Sequence, residues 1–323
     1  MKLTKTYGYL KKDLTMIEEA LNEAIDADHP VLKKASVQLL EAGGKRIRPV
    51  FVLLSARMGD YDEEKVKTVA VSLELIHMAS LVHDDVIDDA DLRRGKPTVK
   101  HTYDNKVAMY MGDFILARAL ENMTSISKPE VHRLLSHAMV ELALGEVEQI
   151  KDKFNLDQNL RHYLRRIKRK TALLIATSCK LGAIVSDVPA HEARQLYKYG
   201  YYIGMSYQII DDILDFTSNE KVLGKPAGHD LLQGHITLPI LYAMEDSHFK
   251  HELIKAGTSQ GHITSDHIDH LMEAFHQTDA IARSYALSDR YLQKAQSSLD
   301  IFPASKTKET MQNIAQFIGS RRS

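Results

Sequence analysis

The chain has 323 residues, 44% of them hydrophobic, enough to bury a large core in one big domain or two closely packed ones. Its 42 basic and 43 acidic residues leave a formal charge of -1, which excludes a global field drawing it to nucleic acid or anionic lipid. The single Cys179 excludes an intramolecular disulfide, the N-terminal MKLTKTYGYLKKDL lacks a secretion signal, and apolar runs such as Ala172 to Ala176 are too short for a membrane span. A cytoplasmic location follows as the expectation, with at most peripheral contact with a membrane.

Only eight prolines occur, and none lies between Pro129 and Pro189 or between Pro189 and Pro226, so long stretches carry no helix breaker. Apolar residues recur three and four positions apart, as at Leu160, Tyr163, Leu164, Ile167, Ala172 and Leu173, and no segment alternates as a strand would. The pattern predicts helices over 10–26, 30–42, 46–58, 63–89, 105–124, 130–152, 157–184, 190–217, 236–246, 267–277, 279–298 and 306–320. Loops are expected at Arg94 to Pro97 and at Gly224 to Gly234. The expected fold is all-α, with residues 1–323 forming a single large bundle of long helices.

Taken in chain order, the first chemistry-bearing stretch is Gly43-Gly44-Lys45-Arg46-Ile47-Arg48-Pro49. Its glycines permit close backbone approach, and three cations open a helix, a cradle suited to a diphosphate. The helix over 63–89 carries His77 on an apolar face and ends in His83-Asp84-Asp85-Val86-Ile87-Asp88-Asp89, with Arg93 and Arg94 just beyond. Mid-chain, Lys170 and Thr171 stand out of a basic run whose other members, Arg165, Arg166, Lys168 and Arg169, read as a solvated charged patch. The helix over 190–217 holds Gln208-Ile209-Ile210-Asp211-Asp212-Ile213-Leu214-Asp215.

Both acidic clusters contain Asp-Asp-x-x-Asp. On a helix, Asp84 with Asp88 and Asp211 with Asp215 project carboxylates from one face, where like charges repel. Neighbours such as Val82, Val86, Ile210 and Ile213 imply partial burial, so the anions need a countercharge. Hard carboxylate oxygens suit magnesium, which is usually held by one or two carboxylates together with substrate phosphates. One such cluster can arise by chance; two in apolar surroundings argue for a metal-bridged diphosphate site. The EF-hand alternative fails because its 12-residue loop with a central glycine is absent.

These motifs resemble the trans-isoprenyl diphosphate synthases over nearly the whole chain. That family is marked by two Asp-Asp-x-x-Asp helices, an N-terminal Gly-Gly-Lys-x-x-Arg and paired arginines after the first acidic helix. Through Ile76 to Asp85 and Gly204 to Asp212 the chain is most similar to the branch of bacilli whose large catalytic subunit makes heptaprenyl diphosphate beside a smaller, dissimilar one. The resemblance implies helices around a central cavity. It implies that Lys45, Arg48, His77 and Arg94 hold isopentenyl diphosphate, and that Arg93, Lys170, Thr171, Gln208 and Lys225 surround the allylic diphosphate. Asp84, Asp85, Asp88, Asp211, Asp212 and Asp215 would hold two or three Mg2+ ions. The chain departs from the family at Gly234-His235, where Gly-Lys is common, so His235 receives no role; Asp230 in the same loop is a candidate supporting acid.

The reaction so implied is ionisation of an allylic diphosphate, farnesyl diphosphate being the expected primer. Attack by the double bond of isopentenyl diphosphate follows, then proton loss to the released diphosphate. Small residues at Ala79 and Ser80, with Ile76 one turn further, leave the path of the growing chain open, where bulky aromatics end growth early in the family. A C35 heptaprenyl product for a menaquinone side chain is expected, with hexaprenyl and octaprenyl products of a homomeric enzyme as alternatives. The expected partner is the smaller subunit, a second copy, or both, with transient membrane contact on product release. A terpene cyclase, which commonly replaces the second Asp motif, and a non-catalytic helical partner are the competing readings. The second is disfavoured because a retired site has no reason to keep buried like charges together.

Overall fold

The computed structural model describes residues 7–41, 43–44, 46–217, 228–260 and 265–322. They are almost wholly helical, and they form two compact units, residues 1–136, 177–197 and 304–310 in the first and 137–176, 198–303 and 311–323 in the second.

The first unit contains α1 (Lys11–Ala24), α2 (Pro30–Glu41), α3 (Ile47–Ala56), α4 (Glu63–Ile87), α5 (Val99–Thr102) and α6 (Asn105–Met123). Helix α4 starts where the Asp62 side chain accepts from the Lys65 N–H at 3.2 Å, and Glu63 and Glu64 meet the positive end of the helix dipole. No Gly or Pro interrupts it. Residues Val69 to Ile76 are buried without a break, so this is a core helix covered on all sides, packed against α1, α3 and α6. It is also, among the described residues, the helix long and apolar enough to cross a membrane by length and composition, but 67% of its most apolar stretch is buried in protein. Its contact with α6 is close: a Cβ on Gly112 would sit 2.3 Å from the His83 ring.

The second unit contains residues 137–152 of α7 (Pro129–Asp152), α8 (Leu160–Ile167), a π-helical turn (Lys168–Ala172), the start of α9 (Leu173–Val185) and most of α10 (Ala190–Thr217). It continues through α11 (His229–Leu232), α12 (Leu238–Ala243), α13 (Ser247–Gln260), α14 (Ser265–His276), α15 (Ala280–Ser297) and the end of α16 (Lys306–Gly319). One apolar cluster gathers Tyr163, Ile167, Ala172, Met205, Ile209, Ile213 and Leu238, and another centres on Phe216, Phe249 and Phe275. Gly204 lets α10 approach the π turn, since a Cβ there would lie 2.4 Å from the Ala172 Cα.

Three expectations need correction. The helix expected over 157–184 is broken by the π turn and begins at Leu160, where the Asn159 side chain accepts from the His162 N–H at 3.1 Å. Helix α13 lies where no helix was expected; Phe249, Leu253 and Ala256 form its buried stripe. The loop after the second acidic cluster holds the helical turn α11, and Arg94 to Pro97 belongs to a small antiparallel hairpin, β1 (Leu92–Arg93) and β2 (Lys96–Pro97).

Candidate active site

The first acidic cluster ends α4. The Asp88 N–H donates to the Asp84 carbonyl at 2.8 Å, so these two residues are one turn apart on one face, both half-buried. Asp89 closes the helix in the left-handed region, φ 53°, with its N–H on the Val86 carbonyl and the Ala90 N–H on the Asp85 carbonyl, a Schellman closure. Four carboxylates therefore crowd the negative end of a helix dipole, an arrangement that costs stability and calls for cations. Asp85 is 5% exposed; burial pushes its pKa up, against the opposing pull of Arg93, whose Nε donates to Asp85 Oδ1 at 2.8 Å.

The arginines reach this cluster through the hairpin. Arg94 (φ 55°) and Gly95 (φ 76°) both take positive φ, as a two-residue type I′ turn requires. The Arg94 guanidinium donates to the Gly43 carbonyl, and a Cβ on Gly44 would come within 2.9 Å of Arg94 Nη1, so only a glycine admits this approach without a shift. Lys96 Nζ donates to the Glu41 carbonyl at 2.6 Å and Gln38 Nε2 to the Pro97 carbonyl at 3.0 Å, tying the hairpin to α2. Arg46, in the left-handed region at φ 44°, is held there by Glu18 at 2.7 Å and the buried Glu74 at 3.2 Å. His77 lies in this field: burial first, then the guanidinium groups of Arg48, Arg94, Arg93 and Arg46, hold its pKa well below the usual value and keep the ring neutral.

The second acidic cluster has different surroundings. Asp212 is 3% exposed; its Oδ2 accepts from the Tyr163 hydroxyl at 2.7 Å and its Oδ1 from Gln208 Nε2 at 2.8 Å, while the Thr171 hydroxyl donates to Gln208 Oε1 at 2.6 Å. Burial, followed by the charge of Asp230, pushes the Asp212 pKa up to about 7. Asp211 pairs with Arg321 at 2.8 Å, and that guanidinium sits 5.0 Å from the centre of the Tyr207 ring. Asp215 Oδ2 accepts from the Asp230 N–H at 3.1 Å, and the Asp230 carbonyl accepts from the His235 N–H at 2.8 Å.

Of the residues singled out in the sequence, Arg48, His77, Arg93, Arg94 and Asp85 come together in the first unit. Thr171, Gln208 and Asp212 come together in the second, where Lys170 turns aside to donate to Gln149 Oε1 at 2.8 Å. Lys45 and Lys225 lie outside the described residues. Ile76 and Ala79 are buried along α4, and the half-buried Ser80 donates to the His77 carbonyl. The solvated patch is corrected at two positions. Arg166 is 6% exposed and donates to Gln158 Oε1 and the Ile236 carbonyl, and Arg169 is locked to Glu141 and Glu148. Tyr163 and Arg321 were not anticipated. Each is a partner of an Asp in the second cluster and lies far from it in sequence.

The donors fit magnesium. All six Asp side chains offer hard oxygens, and the buried Asp212 has no guanidinium or ammonium hydrogen-bonded to it among its contacts above. Among the described residues no three His, Cys, Asp or Glu side chains form a ready-made metal cage.

Residues 29–275 match the polyprenyl synthetase family. The chain is 56% identical over 324 aligned positions to heptaprenyl diphosphate synthase component 2 of Bacillus subtilis (strain 168), covering 100% of this chain and 92% of that protein. Its fold matches the crystal structure of heptaprenyl diphosphate synthase from Staphylococcus aureus with a TM-score of 0.92 and 43% identity, over 97% of this chain and 99% of that one. It also matches a polyprenyl synthase from Caulobacter crescentus CB15 complexed with calcium and isoprenyl diphosphate, with a TM-score of 0.93 and 29% identity, over 100% and 98% of the two chains. A likeness that runs through motif, fold and nearly the full length makes this chain a member of the polyprenyl synthetase family, and a prenyltransferase.

Proposed function

We propose that this prenyltransferase adds isopentenyl diphosphate units in trans to farnesyl diphosphate, giving C35 heptaprenyl diphosphate for a menaquinone side chain, together with a smaller subunit. The observation that carries the reading is that each acidic cluster has polar groups gathered in its own unit: Arg48, His77 and Arg94 in one, with Arg93 on Asp85, and Thr171 and Gln208 in the other. Two sets suit two diphosphates, where a cyclase needs one. The relatives named component 2 support a two-component enzyme, and an exposed apolar stripe on α7, Val140, Leu144 and Val147, offers a face for a second chain.

Asp84, Asp85, Asp88, Asp211, Asp212 and Asp215 would hold two or three Mg2+ ions, which supply charge neutralisation for the departing diphosphate. Arg93, Thr171, Gln208, Lys170 and Lys225 orient the allylic diphosphate, while Lys45, Arg48, His77 and Arg94 orient isopentenyl diphosphate so that its double bond faces the carbon that ionises. Neutral His77 donates a hydrogen bond without adding charge to its guanidinium neighbours. The departing diphosphate takes the proton. Ala79 and Ser80 leave room for the growing chain, and the two units act as one domain, since α7, α9, α10 and α16 each give residues to both. The enzyme works in the cytoplasm, touching the membrane when product leaves.

The test is to incubate the purified chain with magnesium, farnesyl diphosphate and radiolabelled isopentenyl diphosphate, alone and with the small subunit. A C35 product only with both supports the proposal. A long product from the chain alone makes it a homomeric synthase, and no product in either case overturns chain elongation.

A further inference from the structure

Tyr163 has no part in the reaction described so far, yet its surroundings set it apart from the other buried tyrosines. Its ring is 0% exposed and packs in the cluster with Ile167, Met205, Ile209, Ile213 and Leu238. Its hydroxyl leaves that cluster and donates to Asp212 Oδ2 at 2.7 Å. Tyr199, equally buried, spends its hydroxyl on the backbone carbonyl of Met311 at 2.7 Å, the usual way a core tyrosine satisfies its polar tip. Tyr163 instead begins a chain of side-chain bonds. Asp212 Oδ1 accepts from Gln208 Nε2 at 2.8 Å, so the amide nitrogen faces the carboxyl. The Gln208 carbonyl is thereby turned to Thr171, whose hydroxyl donates to it at 2.6 Å.

The direction of these bonds fixes what an incoming ligand meets. The Thr171 hydrogen is committed to Gln208, so Thr171 presents only lone pairs. Gln208 keeps one amide hydrogen beyond the one given to Asp212. An ionised diphosphate accepts hydrogen bonds and cannot donate them, so in this arrangement Gln208 is its donor and Thr171 is not.

We infer that Tyr163 is a positioning residue for the allylic diphosphate: by holding Asp212 it sets the orientation of the Gln208 amide and, through it, of the Thr171 hydroxyl. This rests on the reading that Gln208 meets the allylic substrate, with Thr171 beside it. Tyr163→Phe keeps the ring and removes only the oxygen that begins the chain. In the two-component enzyme its KM for farnesyl diphosphate should rise about tenfold, the scale of one hydrogen bond to a charged group, while the KM for isopentenyl diphosphate stays within about twofold. The effect should shrink in a Thr171→Val background, because both changes break one chain, and 3-fluorotyrosine at position 163, which keeps the hydroxyl, should restore the KM. Titration calorimetry of the chain with magnesium and inorganic pyrophosphate, which needs no turnover, should show the same weakening in Tyr163→Phe. Equal shifts in both KM values, independent effects of the two substitutions, or unchanged pyrophosphate binding would make Tyr163 a packing residue only and overturn the inference. A wild-type enzyme that binds pyrophosphate and does not elongate would overturn the proposed reaction, leaving the calorimetry to judge Tyr163.

Discussion

The two acidic clusters have the same Asp-Asp-x-x-Asp letters and opposite electrostatic solutions. The first stands at the end of α4, and its buried Asp85 is met by the guanidinium of Arg93, delivered by a hairpin eight positions along. The second lies within α10, and its buried Asp212 is met by two neutral donors, Tyr163 and Gln208. A guanidinium offsets the cost of burying a carboxylate far better than a phenol and an amide do. Hence the Asp212 carboxyl is pushed up to about 7, burial leading and Asp230 adding, while at Asp85 the pull of Arg93 works against burial. On the proposed metal reading, the motif says which residues meet a cation, and the surroundings say how much each needs one.

The largest effect expected is on turnover. Asp84→Ala and Asp211→Ala should each lower kcat by about 100-fold or more with the helical circular dichroism unchanged, and turnover close to wild type in either would strike that cluster from the metal site. The contrast itself is tested by neutral isosteres without metal. Asp85→Asn should cost about 1–3 kcal/mol in urea unfolding, because Arg93 loses its partner, whereas Asp212→Asn should be neutral or stabilising. Equal losses would erase the difference argued here.

Smaller effects refine it. Arg321 pairs with Asp211, so Arg321→Ala should tighten magnesium binding by about two- to fivefold in calorimetry; weaker binding would make that arginine a part of the cation site. His77 gives the first cluster's neighbourhood a pH signature. Its folded pKa lies well below the unfolded value of about 6.5, so the unfolded chain takes up the proton first as pH falls. Its contribution is complete above about pH 6.5 and is lost below, at no more than about 1.4 kcal/mol per pH unit, and His77→Gln should flatten unfolding stability between pH 6.5 and 5.

Much of this could be read in the sequence. The long proline-free stretches gave α4 and α10 nearly to the residue, and both acidic motifs lie on the helices expected for them. What escaped depends on contacts distant along the chain. Arg166 looked solvated because nothing near it announces that Gln158 and the Ile236 carbonyl will take its guanidinium. Arg321 meets Asp211 only once the fold exists. Tyr163 did leave a trace, since a tyrosine on an otherwise apolar helical stripe needs a partner for its hydroxyl, but the stripe could not name Asp212. Helix α13 carried its signal in Phe249, Leu253 and Ala256, diluted by Gly257 and by Lys250, His251 and Lys255 between them.

The π turn at Lys168–Ala172 has a consequence for how the chain tolerates length changes. Within it, Arg169 reaches Glu141, Lys170 reaches Gln149 and Thr171 reaches Gln208, so consecutive side chains serve α7 and then α10. A π turn carries a residue more than an α turn, and removing one would let the backbone relax into ordinary α-helix with better hydrogen bonds. The cost would fall on phase: every later side chain of that helix would swing by about 100°, the angle between neighbours in an α-helix of 3.6 residues per turn. A single-residue deletion here should therefore yield a well-folded helix whose Leu173 to Ala176 stripe faces the wrong way, a lesion invisible to circular dichroism and fatal to the site.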